Sequence, residues 1–355
     1  MKIAIYTQHL SSGGAEKRAS IYSNYFAEKG IDVCLITMYK VSVEYKLNSN
    51  VERYCVAENK EEYHKLSKFE RLKKLREIIR QLRPEKIISF LPIFTCYAIL
   101  AIKFKKDLKK IKIIHSVTLY QRKYKPLNRL IDLFCCLFAN AICLQCKEQL
   151  KCNWLFKKKC FVSYNPIIDN FDSTTHKNFN VLSIISAGRL TKQKNFEFAI
   201  KAVAKAHKDI PNIKYDIFGK GPQKDKLAEL INKLKAGNYI ELHEFSPNIL
   251  DEYKKHNIIL STSKYEGFPN GLAEGMMTGL VGLSTPCKSG PCEIIENEVN
   301  GFLFKKESEL INILSKLSLD KDLCIKLSKN AHEICLHKFN HQQILDTYLE
   351  QIGKI

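Results

Sequence analysis

The sequence lacks any uninterrupted apolar run of about 18 residues, which excludes a helix that spans a membrane. Its opening stretch, MKIAIYTQHL, has too short an apolar run for a signal peptide, and no small-residue cleavage site follows. It reads as a buried strand, and the chain is expected in the cytosol. Metal-binding spacing is missing too. Cys143 and Cys146 form one C-x2-C pair, with Cys152 and Cys160 downstream, but no second pair or histidine pair follows at zinc spacing. The thirteen cysteines are therefore expected to be reduced, mostly buried thiols. There is no helix-turn-helix, RNP or zinc-finger pattern, and the basic runs lack stacking aromatics apart from Tyr120 and Tyr124. No nucleic-acid partner is expected. Acid is scarce in one half only: residues 1–166 hold 32 Lys/Arg against 14 Asp/Glu, and the remainder 25 against 23, within a formal net charge of +20. The first half therefore calls for an anionic partner, and an anionic membrane surface is the leading candidate.

What is present is a repeated βαβ pattern, short apolar runs alternating with amphipathic stretches, as in parallel sheets. A chain of 355 residues exceeds one ordinary core. Strands are expected at 2–7, 33–37, 51–56, 86–90 and 111–115, and a long amphipathic helix at 66–82 closed by Pro84. A helix at 94–104 runs into the basic segment KFKKDLKKIK, and the loop LYQRKYKPLNR precedes an apolar stretch at 130–144. Lys105, Lys106, Lys109, Lys110, Arg122 and Lys123 of these two segments, with the helix at 66–83, are the expected membrane or acceptor contacts. After Tyr164-Asn165-Pro166 and a polar linker, a second βαβ series begins at 181–187. The expected class is α/β, with two doubly wound Rossmann-like domains facing a central cleft. They cover 1–166 and 167–337, and a C-terminal helix over about 338–355 is expected to pack back on the first. Ligands of such sheets bind beyond the carboxyl ends of the strands.

One stretch of the second series, SKYEGFPNGLAEGMMTG, stands out. Asn270 is expected to cap a helix, with Glu274 near its positive end and Glu266 in the loop before it. Two carboxylates and a set of free amides would then share a small volume, suited to a ligand with hydroxyls and phosphate oxygens. An isolated E-x7-E reads equally as a capped surface helix with two solvated glutamates.

Further motifs occur in order: Ser12-Gly13-Gly14-Ala15-Glu16, Gly188-Arg189-Leu190 through Lys194-Asn195, Phe218-Gly219-Lys220-Gly221-Pro222, the E-x7-E stretch, and Ser289-Gly290-Pro291 with Asn300-Gly301. Together they resemble retaining glycosyltransferases of family 4, which have the GT-B fold, through nearly the whole chain. The S-G-G-A-E and Y-E-G-F-P-N forms are similar to members that build bacterial surface polysaccharides and lipid-linked oligosaccharides. The resemblance implies transfer of a hexose or N-acetylhexosamine from a UDP-sugar to a lipid-linked acceptor, on the cytoplasmic face of the inner membrane. It places Arg189 and Lys194 on the diphosphate, Glu274 on the ribose and Glu266 by the transferred sugar. It also implies that Gly267, Phe268, Pro269 and Asn270 hold sugar or phosphate oxygens, that Gly13 and Gly14 approach the diphosphate, and that His115 meets the sugar's outer hydroxyls. Family members of this type need no cofactor or metal, and no D-x-D follows a strand here: Asp169 and Asp172 fall in the linker. A sugar-nucleotide epimerase, or a synthase with a soluble acceptor, is the alternative on related folds. The sequence departs from the family pattern at Gly275, Leu280-Val281 and Cys292. Gly271 and Gly275 would each weaken the helix by roughly 1 kcal/mol relative to alanine.

Overall fold

β-branched runs with helices on both sides build two parallel sheets. The structure is a computed structural model that describes residues 1–11, 14–42, 44–103, 105–117, 126–167, 179–287 and 289–355. It divides into two units, Met1–Pro166 with Gln342–Ile355, and Ile167–His341.

In the first unit, β1 (Lys2–Thr7), β2 (Asp32–Thr37), β3 (Glu52–Cys55), β4 (Lys86–Phe90), β5 (Lys112–Ser116), β6 (Ala141–Leu144) and β7 (Cys160–Val162) form one parallel sheet. Its order is β3-β2-β1-β4-β5-β6-β7, so the winding reverses between β1 and β4. Both faces are covered, which is why β1 is apolar at every inner position rather than alternating. Ala4 and Tyr6 face the core under α3 (Lys68–Leu82), α4 (Pro92–Ile102) and α5 (Pro126–Phe138). Ile3 and Ile5 face the other core, filled by Tyr22 and Phe26 of α1 (Gly14–Glu28) and by Leu345, Tyr348 and Ile352 of α13 (His341–Gly353). The Tyr348 ring lies 4.5 Å from that of Tyr22.

The helix expected at 66–82 is α3, whose N-cap Ser67 makes a reciprocal capping box with Glu70, and a separate short helix, α2 (Lys60–Lys65), precedes it. The apolar stretch at 130–144 is divided between α5 and β6. A 3-10 turn over Trp154–Lys159 leads into β7.

In the second unit, β8 (Leu182–Ala187), β9 (Ile213–Phe218), β10 (Ile240–His243), β11 (Ile258–Ser261), β12 (Val281–Ser284) and β13 (Gly301–Leu303) form a parallel sheet in the order β10-β9-β8-β11-β12-β13. Here the winding reverses between β8 and β11. The helices α6 (Phe196–Ala206), α7 (Lys224–Lys233), α8 (Ile249–Lys255), α9 (Asn270–Met277), α10 (Pro291–Ile294), α11 (Glu307–Leu319) and α12 (Lys321–Phe339) connect and cover the strands. Ile167 forms a bridge with Asn340, so the unit's entry and exit segments lie side by side. Among the described residues no helix is long and apolar enough to cross a membrane.

Candidate functional site

Two loops leave the carboxyl ends of β8 and β11, the strands on either side of the reversal in the second sheet. The first, 188–195, is stitched to its neighbour after β9 by Leu190 N–H to the Lys220 carbonyl, 2.9 Å. It then closes a turn from Lys194 N–H to the Thr191 carbonyl, 3.1 Å, and enters α6 through Asn195 in the left-handed region at φ 55. The second loop, 262–269, is tied at its start to the end of the first. The Thr262 hydroxyl donates to the Lys194 and Asn195 carbonyls, each at 3.1 Å, and Lys264 N–H donates to the Gln193 carbonyl at 2.8 Å.

These ties put Lys194 against Glu266. The ammonium lies 2.6 Å from Glu266 Oε1, with the lysine side chain 24% and the glutamate 8% exposed. Ser263 Oγ donates to the same oxygen at 2.6 Å, and Gln193 Nε2 donates to the Tyr265 carbonyl at 2.9 Å. A buried carboxylate needs its cation and its hydrogen bonds together, because desolvation alone would disfavour the charge. The cation is the partner that keeps an open side. It lines a pocket with Ala187, Ser261, Ser263, Pro269 and Gly271.

The Ser289-Gly290 turn seats against the same stretch. Ser289 Oγ donates to the Glu266 carbonyl, and Gly290 sits at φ +83, where an added Cβ would lie 2.4 Å from Pro269 Cδ. Only glycine fits there. Behind the turn, burial, followed by the charge of Glu266, pushes the Cys287 thiol up to about 12.

α9 begins one residue earlier than expected. The capping position is Pro269, whose carbonyl accepts from Leu272 N–H at 3.0 Å, and Asn270 is the first helical residue. Asn270 therefore does not act as the side-chain cap, and Glu274 falls beyond the first turn. Glu274 is half-buried near α8; burial and then its charge push the Tyr253 phenol well above its ordinary value. Gly275 is not simply a weak helix position. A Cβ there would lie 3.0 Å from Ile259, so its absence lets α9 lie close on β11.

Other expected site residues are placed differently. Arg189 is exposed and has no ion-pair partner among the described residues. Gly267 and Pro269 are buried in the second loop, and the Phe268 ring packs edge-on to Phe339 at 5.3 Å. His115, expected to meet a sugar, is fully buried in the first unit. Its Nδ1 pairs with Thr95 Oγ1 at 2.8 Å and its Nε2 with Asp132 Oδ1 at 3.0 Å, so both ring nitrogens are already engaged. Gly14 is the exposed first residue of α1, while Gly13, Arg122 and Lys123 lie outside the described residues. Lys106, Lys109 and Lys110 are exposed and Lys105 half-buried in the segment before β5.

Gln193, Ser263 and Ser289 were not expected in the site. Ser263-x-x-Glu266 has the spacing of a capping box, but no helix starts there and the serine binds the carboxylate itself.

A profile of the family described as "Glycosyl transferases group 1" matches residues 169–334. The UDP-N-acetylglucosamine--peptide N-acetylglucosaminyltransferase GtfA subunit of Streptococcus agalactiae is 39% identical over 128 residues, 36% of this chain and 25% of that protein. The chain spans about a quarter to a third of the length of the first curated relatives it matches. The amylovoran biosynthesis glycosyltransferase AmsD of Erwinia amylovora is 27% identical over 301 residues, 81% of each chain. The crystal structure of Anabaena Alr3699/HepE in complex with UDP superposes with a TM-score of 0.81 at 16% identity, over 100% of both chains, which is a likeness of fold. The chain has two Rossmann-like parallel-sheet domains, the fold of the GT-B structures, and residues 169–334 match the glycosyl transferases group 1 family.

Proposed function

We propose that the chain is a retaining glycosyltransferase that moves a hexose or N-acetylhexosamine from a UDP-sugar to a lipid-linked glycan in bacterial surface-polysaccharide synthesis, such as O-antigen or capsule. The observation that carries this is the Lys194–Glu266 pair, held at the carboxyl ends of the two strands that flank the sheet's reversal, with its cation open to a pocket. The UDP part draws support from the GtfA name and from the UDP bound to HepE. The lipid-linked acceptor draws support from the basic first domain, and a role in biosynthesis from the amylovoran biosynthesis in the AmsD name.

In this reading the second domain binds the donor and the first receives the acceptor. The bond between sugar C1 and the diphosphate oxygen breaks while the acceptor oxygen bonds to C1 from the same face. The acceptor proton passes to the leaving phosphate. Arg189, exposed and without an ion-pair partner among the described residues, forks onto phosphate oxygens, and Lys194 contributes a fixed positive charge. The first amides of α9 face the same anion. Glu274 holds the ribose. Glu266 holds Lys194 in place, which makes it a positioning residue. Fixed charges of this kind stabilise the leaving group without reorganising during the reaction, so turnover is expected without added metal.

A panel of nucleotide sugars incubated with lipid-pyrophosphate glycan acceptors tests the reading. The expected result is one transferred sugar with its anomeric configuration kept, from a UDP donor, undiminished by EDTA. Interconversion of the UDP-sugar with no acceptor present would instead make the chain an epimerase.

A further inference from the structure

The first domain has an apolar surface that its own core does not use. α5 turns Asp132, Cys135 and Cys136 inward, yet its opposite side carries Leu127 (68% exposed), Leu130 (66%), Leu133 and Leu137. These four recur at helical spacing along one stripe. The 3-10 turn over Trp154–Lys159 extends the patch. Lys159 Nζ donates to the Leu137 carbonyl at 2.9 Å and to the Ala139 carbonyl at 3.1 Å, binding the turn to the end of α5. Trp154 and Leu155 on the turn are 70% and 65% exposed. A helix that is apolar on both sides, continued by an exposed tryptophan, is a surface awaiting a cover.

Charge decides which cover. Arg129 lies on α5 itself and Lys157 and Lys158 on the turn, all three exposed, and Glu148 pairs with Lys151 at 2.7 Å. A second copy would bring the same positive charges against these, within a chain of net charge +20. A bilayer with anionic headgroups answers both parts, taking leucine and tryptophan into its interface and pairing lysine and arginine with lipid phosphates.

We infer that the outer face of α5, with Trp154 and Leu155, is a membrane-docking face that inserts shallowly into an anionic leaflet. This rests on the proposed lipid-linked acceptor for its purpose, and it moves the main contact from the lysines at 105–110 to the leucine stripe.

The chain's single tryptophan is Trp154, so its emission reports on the face directly. Full-length protein is mixed with phosphatidylcholine vesicles with and without phosphatidylglycerol. The expected result is a blue shift with the anionic vesicles only, and quenching by lipids brominated on their acyl chains. Leu130→Glu and Leu137→Glu should each weaken sedimentation with those vesicles by at least about tenfold while helical circular dichroism is kept. Both variants should retain wild-type transfer to a water-soluble acceptor analogue. Sedimentation with unmoved emission would overturn the inference, as would a lipid-free blue shift that grows with protein concentration alongside a dimer mass. Quenching by brominated lipid in a protein that transfers no sugar would support the docking face and sink the transferase reading.

Discussion

His115 in the first domain and Glu266 in the second are both buried ionisable side chains beside the carboxyl end of a strand, yet their surroundings differ in one respect. The His115 network runs from Ser89 through Thr95 to the ring and on to Asp132, and the imidazole itself is fully enclosed. The Glu266 network ends in Lys194, a cation with one side open to a pocket. A closed network fixes packing among the elements that supply it, here β4, α4, β5 and α5. An open one stores a charge that a ligand can reach. Sheet order is shared between the domains through six strands, so topology does not make the difference. The side chains on two loops do.

Breaking the open network should have the largest effect. Lys194→Ala leaves the Glu266 carboxylate buried without its cation, and should cost about 3 kcal/mol of stability and about 100-fold in turnover. Adding Glu266→Gln should restore most of the melting temperature and none of the turnover. Recovery of both would show that Lys194 acts only on packing. Next is the closed network. His115→Ala should cost about 2–4 kcal/mol in urea unfolding, with turnover per folded molecule unchanged. A stable variant that has lost turnover would return His115 to the chemistry.

Arg189→Ala should sharpen the contrast from the other side. The residue is exposed, so stability should stay within about 0.5 kcal/mol while UDP affinity, read by calorimetry, falls about tenfold. The smallest effect is expected at Asp216, between His256 at 2.8 Å and His243 at 2.9 Å. Burial alone would raise its pKa, but the hydrogen bonds from these histidines outweigh burial and hold the carboxyl below its ordinary value. A lowered folded pKa gives stability that is full above the ordinary value and lost as pH falls through the lowered one. Asp216→Asn should therefore cost about 1 kcal/mol at pH 7, and the gap to wild type should close below about pH 4.

Much of this was legible in the sequence, for stated reasons. Two-sided burial gives runs such as KIAIYT and VLSIIS that locate central strands, and Gly279 at φ +78 ends α9 where the pattern asked for a stop. The partners of Glu266 were not legible. Lys194 is 72 positions away and Ser289 another 23 in the other direction, and only the fold brings them together. Nor could His115 be placed, because its fate depends on Thr95 and Asp132 from two helices whose register the sequence leaves open. The leucines of α5 show the same limit: a helix apolar on both sides does not announce which side is covered.

α13 carries a consequence for the order of synthesis. Leu345, Tyr348 and Ile352 complete the core of the first domain, yet they follow the whole second domain, which leaves through Asn340 beside its own entry at Ile167. The first domain must therefore wait, with Tyr22 and Phe26 uncovered, while the 175 residues Ile167–His341 are made. At ribosomal speed that is roughly ten to thirty-five seconds. The second domain can finish folding first, although it begins later.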